Sequence, residues 1–204
     1  MKKEQLLHIL HPFLPDGTHE YAVELLVRHS VQLHIKKPRS SKYGDYRPPM
    51  PGERHRISLN KDLNPYAFLV TFMHEMAHLV NHETHKGMVS PHGMEWKRQF
   101  QEISKPMFER RVLPADVHQA LGHYLSNPKA SSCTSPLLFK TLRKYDLQND
   151  WVLVEEILPH TRFSTPDGKV FVKQKKNRTR YTCIEESTGK MYLVPALMQC
   201  KPVV

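Results

Sequence analysis

The segment from Asn64 to Val80 constrains the fold more than any other part of the sequence. Asn64 is a residue type that caps helix N-termini, and Pro65 suits the first helical position. Leu63 and Phe68 have the spacing of a hydrophobic staple. The rest of the segment is apolar almost all round, which is typical of a helix buried on every side. The sequence therefore predicts a central helix around which the other elements pack.

Three ionisable residues interrupt this apolar helix in the run His74-Glu75-Met76-Ala77-His78. On a helix, His74 and His78 lie one above the other, so both imidazoles can reach one zinc ion. Glu75 can face the open coordination position, take a proton from water there and deliver it to a leaving amine. Burying such groups without partners costs about 2–7 kcal/mol. We therefore favour a metal site over a pair of hydrogen-bonded core histidines.

A catalytic zinc site needs a third protein ligand, and the sequence offers three candidates. His92 opens the next predicted helical segment, and the intervening loop is long enough to fold back. Glu95 is the carboxylate alternative, and His85 is available if the central helix ends before it. The chemistry ranks His92 first, Glu95 second and His85 third. His82 continues the i+4 series but lies about 12 Å along the helix axis from the first histidine.

The remaining patterns predict helices in the first three quarters of the chain and strands in the last. Helices are predicted at residues 3–10, at 18–30, from Pro91 to about Ser104 and from Pro114, and strands at 31–36 and 54–59. Four prolines and two glycines predict that residues 38–52 are mostly loop, and residues 127–136 are also predicted as loop.

From Trp151 onward apolar and polar residues alternate, and the pairs Asp167-Gly168 and Thr188-Gly189 predict hairpin turns. The predicted fold class is therefore α+β. We expect a helical domain with a small sheet at residues 1–150 and a β-rich subdomain at 151–204.

The run HEMAHLVNH followed by SPHGMEWKRQF resembles the SprT-like family of zinc metalloproteases. The upstream stretches KYGDYR (42–47) and HRISLN (55–60) resemble the strands that precede the active-site helix of that family. The resemblance covers about residues 5–110. It implies a zincin-like fold and a zinc-dependent endopeptidase that hydrolyses peptide bonds with zinc-activated water.

Carried over to this chain, the resemblance implies His74, His78 and His92 as ligands of one catalytic Zn²⁺ and Glu75 as the general base. It makes HRISLN the edge strand beside the cleft, to which a peptide could add by β-pairing. For the Spartan-like branch of the family, it implies substrates that are attached to DNA. The expected partners are therefore DNA-associated or DNA-crosslinked proteins, and the expected role is repair of such crosslinks.

The C-terminal part departs from the family pattern. Many SprT-like proteins carry a zinc ribbon with paired cysteines, and residues 160–204 have the hairpins of that ribbon without its ligands. Cys183 and Cys200 are single and 17 residues apart. We therefore expect them to be small buried residues, and we expect no second, structural zinc ion.

Charge is concentrated in this C-terminal part. The chain has a net charge of +10, and residues 160–204 hold nine Lys and Arg against three acidic residues. Cationic side chains beside aromatic ones, here Phe171 and Tyr181, suit single-stranded nucleic acid. We predict a DNA contact, with single strands favoured, at Lys173, Lys175, Lys176, Arg178 and Arg180.

Several classes of protein are excluded or disfavoured by the sequence. The longest nearly apolar run, Tyr66 to Met73, is far shorter than the ~20 residues of a membrane-spanning helix. Three cysteines without a CxxC pair favour a reducing compartment, so a cytoplasmic location is expected. Two other functions stay open: a zinc-stabilised nucleic-acid-binding protein without proteolysis, and a general cytoplasmic metallopeptidase. Glu75 favours an enzyme, because metal binding alone does not need it.

Overall fold

The computed structural model describes residues 3–39, 42–129, 135–147 and 150–203. The chain divides into two compact units, Met1–Leu147 and Gln148–Val204. The first contains α1 (Lys3–Leu10), α2 (His19–Arg28), β1 (Gln32–Lys36), β2 (Gly44–Arg47), β3 (Arg56–Asn60), α3 (Pro65–His85), α4 (Met94–Glu109), α5 (Ala115–Leu125) and α6 (Pro136–Arg143). The second contains β4 (Val152–Leu153), β5 (Arg162–Ser164), β6 (Val170–Asn177), β7 (Arg180–Glu185), β8 (Met191–Pro195) and β9 (Gln199–Pro202). The predicted α+β class is confirmed.

Helix α3 is the centre of the first unit. The side chain of Asn64 accepts hydrogen bonds from the backbone N–H groups of Tyr66 (3.1 Å) and Ala67 (3.0 Å), which confirms the predicted cap. Twelve of the 21 residues of α3 are buried, as expected for a helix surrounded by other elements. The helix runs beyond Val80 and ends at His85, and its C-cap residue Lys86 adopts a left-handed conformation with φ of 51°.

The three-stranded sheet of the first unit has the order β1-β3-β2. β1 runs parallel to β3, and β2 runs antiparallel to it. The prediction that HRISLN forms the edge strand is therefore wrong, because β3 is central and the two edge strands are β1 and β2. The alternation of Ile57 and Leu59, both fully buried, determines which face of β3 is covered. It carries no information about which strands lie alongside. β2 also falls within the stretch that was predicted as mostly loop.

Two later helices differ from the predictions. α4 begins at Met94 rather than Pro91, because Gly93 is its extended N-cap residue and His92 lies in the turn before it. α6 begins at Pro136 and was not predicted, and part of the loop predicted before it lies outside the described residues. Among the described residues, no helix combines the length and hydropathy required to cross a bilayer.

The second unit is an antiparallel sheet with the order β4-β9-β5-β6-β7-β8. Gly168 and Gly189 have φ values of 82° and 68°, a conformation that suits glycine, and they confirm the two predicted hairpin turns. The core of this unit contains Val154, Phe163, Phe171, Cys183, Val194 and Cys200. Both of these cysteines are fully buried, as predicted.

Candidate metal centre

Three histidines from two segments converge in the first unit. His74 and His78 lie one turn apart on α3, and their Nε2 atoms are 3.1 Å apart. The turn before α4 brings His92 to them, with its ring centroid 5.4 Å from that of His74 and 4.5 Å from that of His78. One ligand atom of each ring lies within 4.8 Å of the others. This arrangement is the one that the sequence predicted as its first choice.

The triad has the chemistry that zinc requires. Burial lowers the pKa of His74 to about 3 and that of His78 to about 4, and the neighbouring imidazoles add to both effects. Burial also lowers the pKa of His92. All three rings are therefore neutral at pH 7, which is the form that binds metal. Nε2 of His92 is buried and has no hydrogen-bond partner among the described residues. Three neutral imidazole nitrogens fit a zinc ion.

The alternative ligands do not join the triad. Glu95 and His85 were the second and third candidates, and neither belongs to a group that could hold a metal ion in the described part of the chain. His82 lies in a different cluster, with its ring 6.1 Å from that of Tyr46 and 6.3 Å from that of His55.

Trp96 on α4 forms a wall of the site that sequence reasoning missed. Its side chain is fully buried, and its ring lies 4.8 Å from His74, 5.3 Å from His78 and 4.7 Å from His92. Contact with all three rings restricts their rotation, as expected of groups that surround a metal site. Its position four residues after His92 was the available signal, because the sequence predicted both residues on one helix, where i and i+4 residues share a face.

Glu75 lies on α3 next to His74, and its side chain is almost completely buried. Burial raises the pKa of Glu75 to about 8, and the negative charge of Asp45 adds to the increase. A hydrogen bond donated by the backbone N–H of Tyr46 opposes the increase, as do the charges of Lys42 and Arg39. A carboxyl group whose pKa lies near the working pH is suited to exchanging protons.

Strand β2 crosses directly over Glu75, and Gly44 makes that approach possible. A β-carbon at residue 44 would lie 2.6 Å from Oε1 of Glu75 and 2.8 Å from Cγ2 of Thr71. Both distances are shorter than van der Waals contact, so any larger residue would push the strand away. The edge strand and the carboxylate are therefore held together by a backbone position that only glycine fits.

The predicted nucleic-acid residues lie on β6, on β7 and in the turn between them in the second unit, but they are not equivalent. Lys175, Lys176, Arg178 and Arg180 are exposed. Lys173 is only 2% exposed, which removes it from the predicted contact surface. An irregularity in the pairing between residues 173 and 176 separates the two environments. The proposed stacking is also limited, because Phe171 is buried in the core.

A helix that bears two histidines and a glutamate, with a third histidine in the turn that precedes the next helix, defines a metallopeptidase-like domain. The model of the SprT-like family matches residues 12–119, which is more than half of the chain and includes the whole triad. The chain belongs to the SprT-like family. Comparisons with curated proteins and with solved structures gave no match.

Proposed function

We propose that this protein is a zinc-dependent endopeptidase that acts on proteins associated with DNA. One observation carries the proposal: three neutral imidazoles converge on a helix that also presents the buried carboxyl group of Glu75. A site that only stabilised the fold through zinc would need the histidines and not the glutamate. The membership of the SprT-like family supports the same reaction class.

The chemistry follows from the positions of the site residues. Zinc bound by His74, His78 and His92 would supply a Lewis acid that makes water nucleophilic near neutral pH. Glu75 in its charged form accepts the proton of the attacking water and returns it to the leaving amine. A divalent cation beside Glu75 favours the carboxylate form, because opposite charges lower the pKa of an acid. Burial of the site limits the competition from bulk water.

The edge strand β2 gives the substrate a place to bind. β2 pairs with β3 along one edge, and no strand covers its other edge among the described residues. An extended segment of substrate can add to such an edge through main-chain hydrogen bonds. Because Gly44 and Tyr46 of this strand border Glu75, a segment paired with β2 would pass the carboxyl group. This mode of binding favours unfolded stretches of protein over folded surfaces.

The association with DNA is supported by charge. The chain carries +10 at pH 7, and four cationic side chains are exposed around the turn between β6 and β7. Cations in this number attract the phosphate backbone without sequence preference. DNA that binds both the enzyme and its substrate would raise the local concentration of that substrate.

The experiment is cleavage of a basic DNA-binding protein by the zinc-loaded full chain, with and without single-stranded DNA. Glu75→Gln is the matched control, because it removes the base and keeps the size of the side chain. We expect cleavage that requires both Glu75 and DNA.

Each other outcome would overturn a defined part of the proposal. Equal cleavage by Glu75→Gln would remove the assigned base. Cleavage that does not depend on DNA would leave a general metallopeptidase. Tight binding of DNA with no cleavage would leave a zinc-stabilised nucleic-acid-binding protein.

A further inference from the structure

The outer face of the three-stranded sheet in the first unit is strongly cationic. The inner face carries Leu33, Ile35, Tyr46, Ile57 and Leu59 and belongs to the core, and α3 packs against β2 and β3. Because side chains alternate along a strand, the residues between these point the other way. The outer sheet face comprises His34, Lys36, Asp45, Arg47, Arg56 and Ser58, together with Arg39 and Lys42 from the segment between β1 and β2.

Positive charge on this face is not balanced. Five Lys and Arg side chains stand against a single acid, Asp45. That carboxylate already accepts hydrogen bonds from Lys42 at 2.7 Å and from Arg47 at 3.0 Å. Among the described residues, no acidic side chain pairs with Lys36, Arg39 or Arg56.

Arg39 is held in place by neutral groups. Its Nε donates to Oδ1 of Asn60 at 2.7 Å, and its Nη1 donates to Oγ of Ser58 at 3.0 Å. Its Nη2 lies 3.3 Å from the carbonyl oxygen of Ser58. These bonds fix the guanidinium over the outer sheet face without cancelling its charge. A fixed, uncompensated guanidinium is well suited to bind a phosphate group.

Arg47 and Arg56 add a second indication of a missing anion. They are directly opposite each other in the antiparallel pair of β2 and β3. Like charges in that position destabilise a sheet unless anions offset them, and Asp45, which contacts Arg47, is the single acid on this face. Nε of Arg56 is buried and has no hydrogen-bond partner among the described residues. The pKa of His34 is lowered by burial and by the charges of Lys36 and Arg56, which agrees with a positive potential on this face.

We propose that the outer sheet face binds the phosphate backbone of nucleic acid. The inference rests on the proposed function only for the choice of nucleic acid as the polyanion. It places a nucleic-acid contact on the catalytic unit itself, on the reverse side of the strand that borders Glu75. A substrate bound to the same nucleic acid would then lie close to the edge of β2. Arginine is favoured at such a surface, because its planar fork matches two phosphate oxygens.

The test is binding of the zinc-loaded full chain to a labelled single-stranded oligothymidylate, followed by fluorescence anisotropy over a range of salt concentrations. The variant is Arg47→Gln with Arg56→Gln, which removes the unfavourable pair and leaves the core face unchanged. We expect Kd to rise about tenfold and the salt slope to fall by about 1.4, because each single-strand phosphate contact contributes about 0.7. The matched control is Arg98→Gln with Lys105→Gln, two changes on the same unit away from the sheet, which should leave both quantities nearly unchanged.

Three results would overturn the inference. One is an unchanged Kd and salt slope in the sheet variant, with binding lost instead when Lys175, Lys176 and Arg178 are neutralised. Another is an equal loss in the control, which would indicate net charge alone. The third is binding of phosphatidylserine vesicles, but not the oligonucleotide, through the same two arginines. The assay does not involve proteolysis. It can therefore confirm that the outer sheet face binds nucleic acid even if the protein cleaves no substrate.

Discussion

Both units bury ionisable side chains in apolar surroundings, and they treat them differently. In the first unit, His74, His78 and His92 direct nitrogen atoms towards one point, and one of those nitrogens is buried without a partner. In the second unit, Lys173 is only 2% exposed, but Nζ donates to the carbonyl oxygen of Ile157 at 2.6 Å and lies 3.9 Å from the ring centre of Tyr181. The histidine triad contains a buried nitrogen without a hydrogen-bond partner, whereas the ammonium group of Lys173 has a carbonyl oxygen and an aromatic ring as partners.

This difference separates a site from a structural feature. A buried polar group costs free energy unless it is paired, so groups that converge without partners indicate a ligand. Lys173 needs none, because a carbonyl and an aromatic ring already stabilise its ammonium group. Burial lowers the pKa of Lys173, and the nearby thiols of Cys183 and Cys200 oppose that effect. Burial of charge alone therefore does not identify the functional unit.

The largest expected effect comes from His78→Ala. Zinc at about a thousand times its Kd would stabilise the native protein by about 4 kcal/mol, because only the folded triad binds it tightly. We expect zinc to raise the Tm of the parent protein and to have little effect on the variant, as measured by thermal unfolding with zinc or with EDTA. His85→Ala, on the same helix but outside the triad, should keep the full response. A zinc response that survives in His78→Ala would remove the assigned site.

The second effect concerns Glu75 in the metal-free protein. Its pKa is raised to about 8 in the folded state and lies near 4.3 in an unfolded chain. The folded state therefore binds the proton more tightly, and its stability is lost as the pH rises through this range. Glu75→Gln should stabilise the protein at pH 6.5, in EDTA, by about 3 kcal/mol and should have little effect below pH 4.5. Urea unfolding at the two pH values measures the difference.

Glu95→Gln is the control for that measurement, because this carboxyl group is only partly buried. It should change stability little at either pH. If the gain in stability of Glu75→Gln does not increase with pH, ionisation of the buried carboxyl group is not what destabilises the folded protein.

The sequence correctly predicted that His74 and His78 lie together, because their signal is local. The cap at Asn64, the apolar run and the i+4 histidines all lie within one helix, where geometry follows from spacing. The prediction of the edge strand was wrong because strand order depends on pairing between distant segments, which the alternation of apolar and polar residues does not encode. Trp96 was missed because an apolar residue on an amphipathic helix has an ordinary explanation in packing. Lys173 was misassigned because lysine is rarely found on a core face, although alternation places it on the same face of β6 as the buried Phe171.

The third effect tests whether Lys173 is purely structural. Lys173→Met keeps the aliphatic stem but leaves the carbonyl oxygen of Ile157 without its donor, which costs about 1–3 kcal/mol. We expect this loss in urea unfolding of the full chain, and we expect it to be the same with zinc and with EDTA. Lys175→Met is the control, because that side chain is exposed on the same strand and should change stability by less than about 0.5 kcal/mol. A loss that depends on zinc would give the second unit a metal after all.

The smallest effect concerns a polar cluster that lies one helical turn beyond the triad. The hydroxyl of Tyr46 forms a hydrogen bond with Nδ1 of His55 at 2.9 Å, and Nε2 of that ring lies 3.4 Å from Glu83. The other carboxylate oxygen of Glu83 lies 2.7 Å from Nδ1 of His29. Each of these groups has a partner. In that respect the cluster resembles Lys173 and differs from the triad, although one of its residues, Glu83, lies on the same helix as His74 and His78.

Tyr46→Phe should therefore cost about 1 kcal/mol of stability, the net value of one hydrogen bond, and should leave zinc affinity unchanged. Stability is measured by urea unfolding, and affinity by competition with a chelator. The phenylalanine keeps the ring in the core and keeps the backbone N–H that donates to Glu75. A marked fall in zinc affinity would mean that the cluster positions the triad, and that the two groups act as one site.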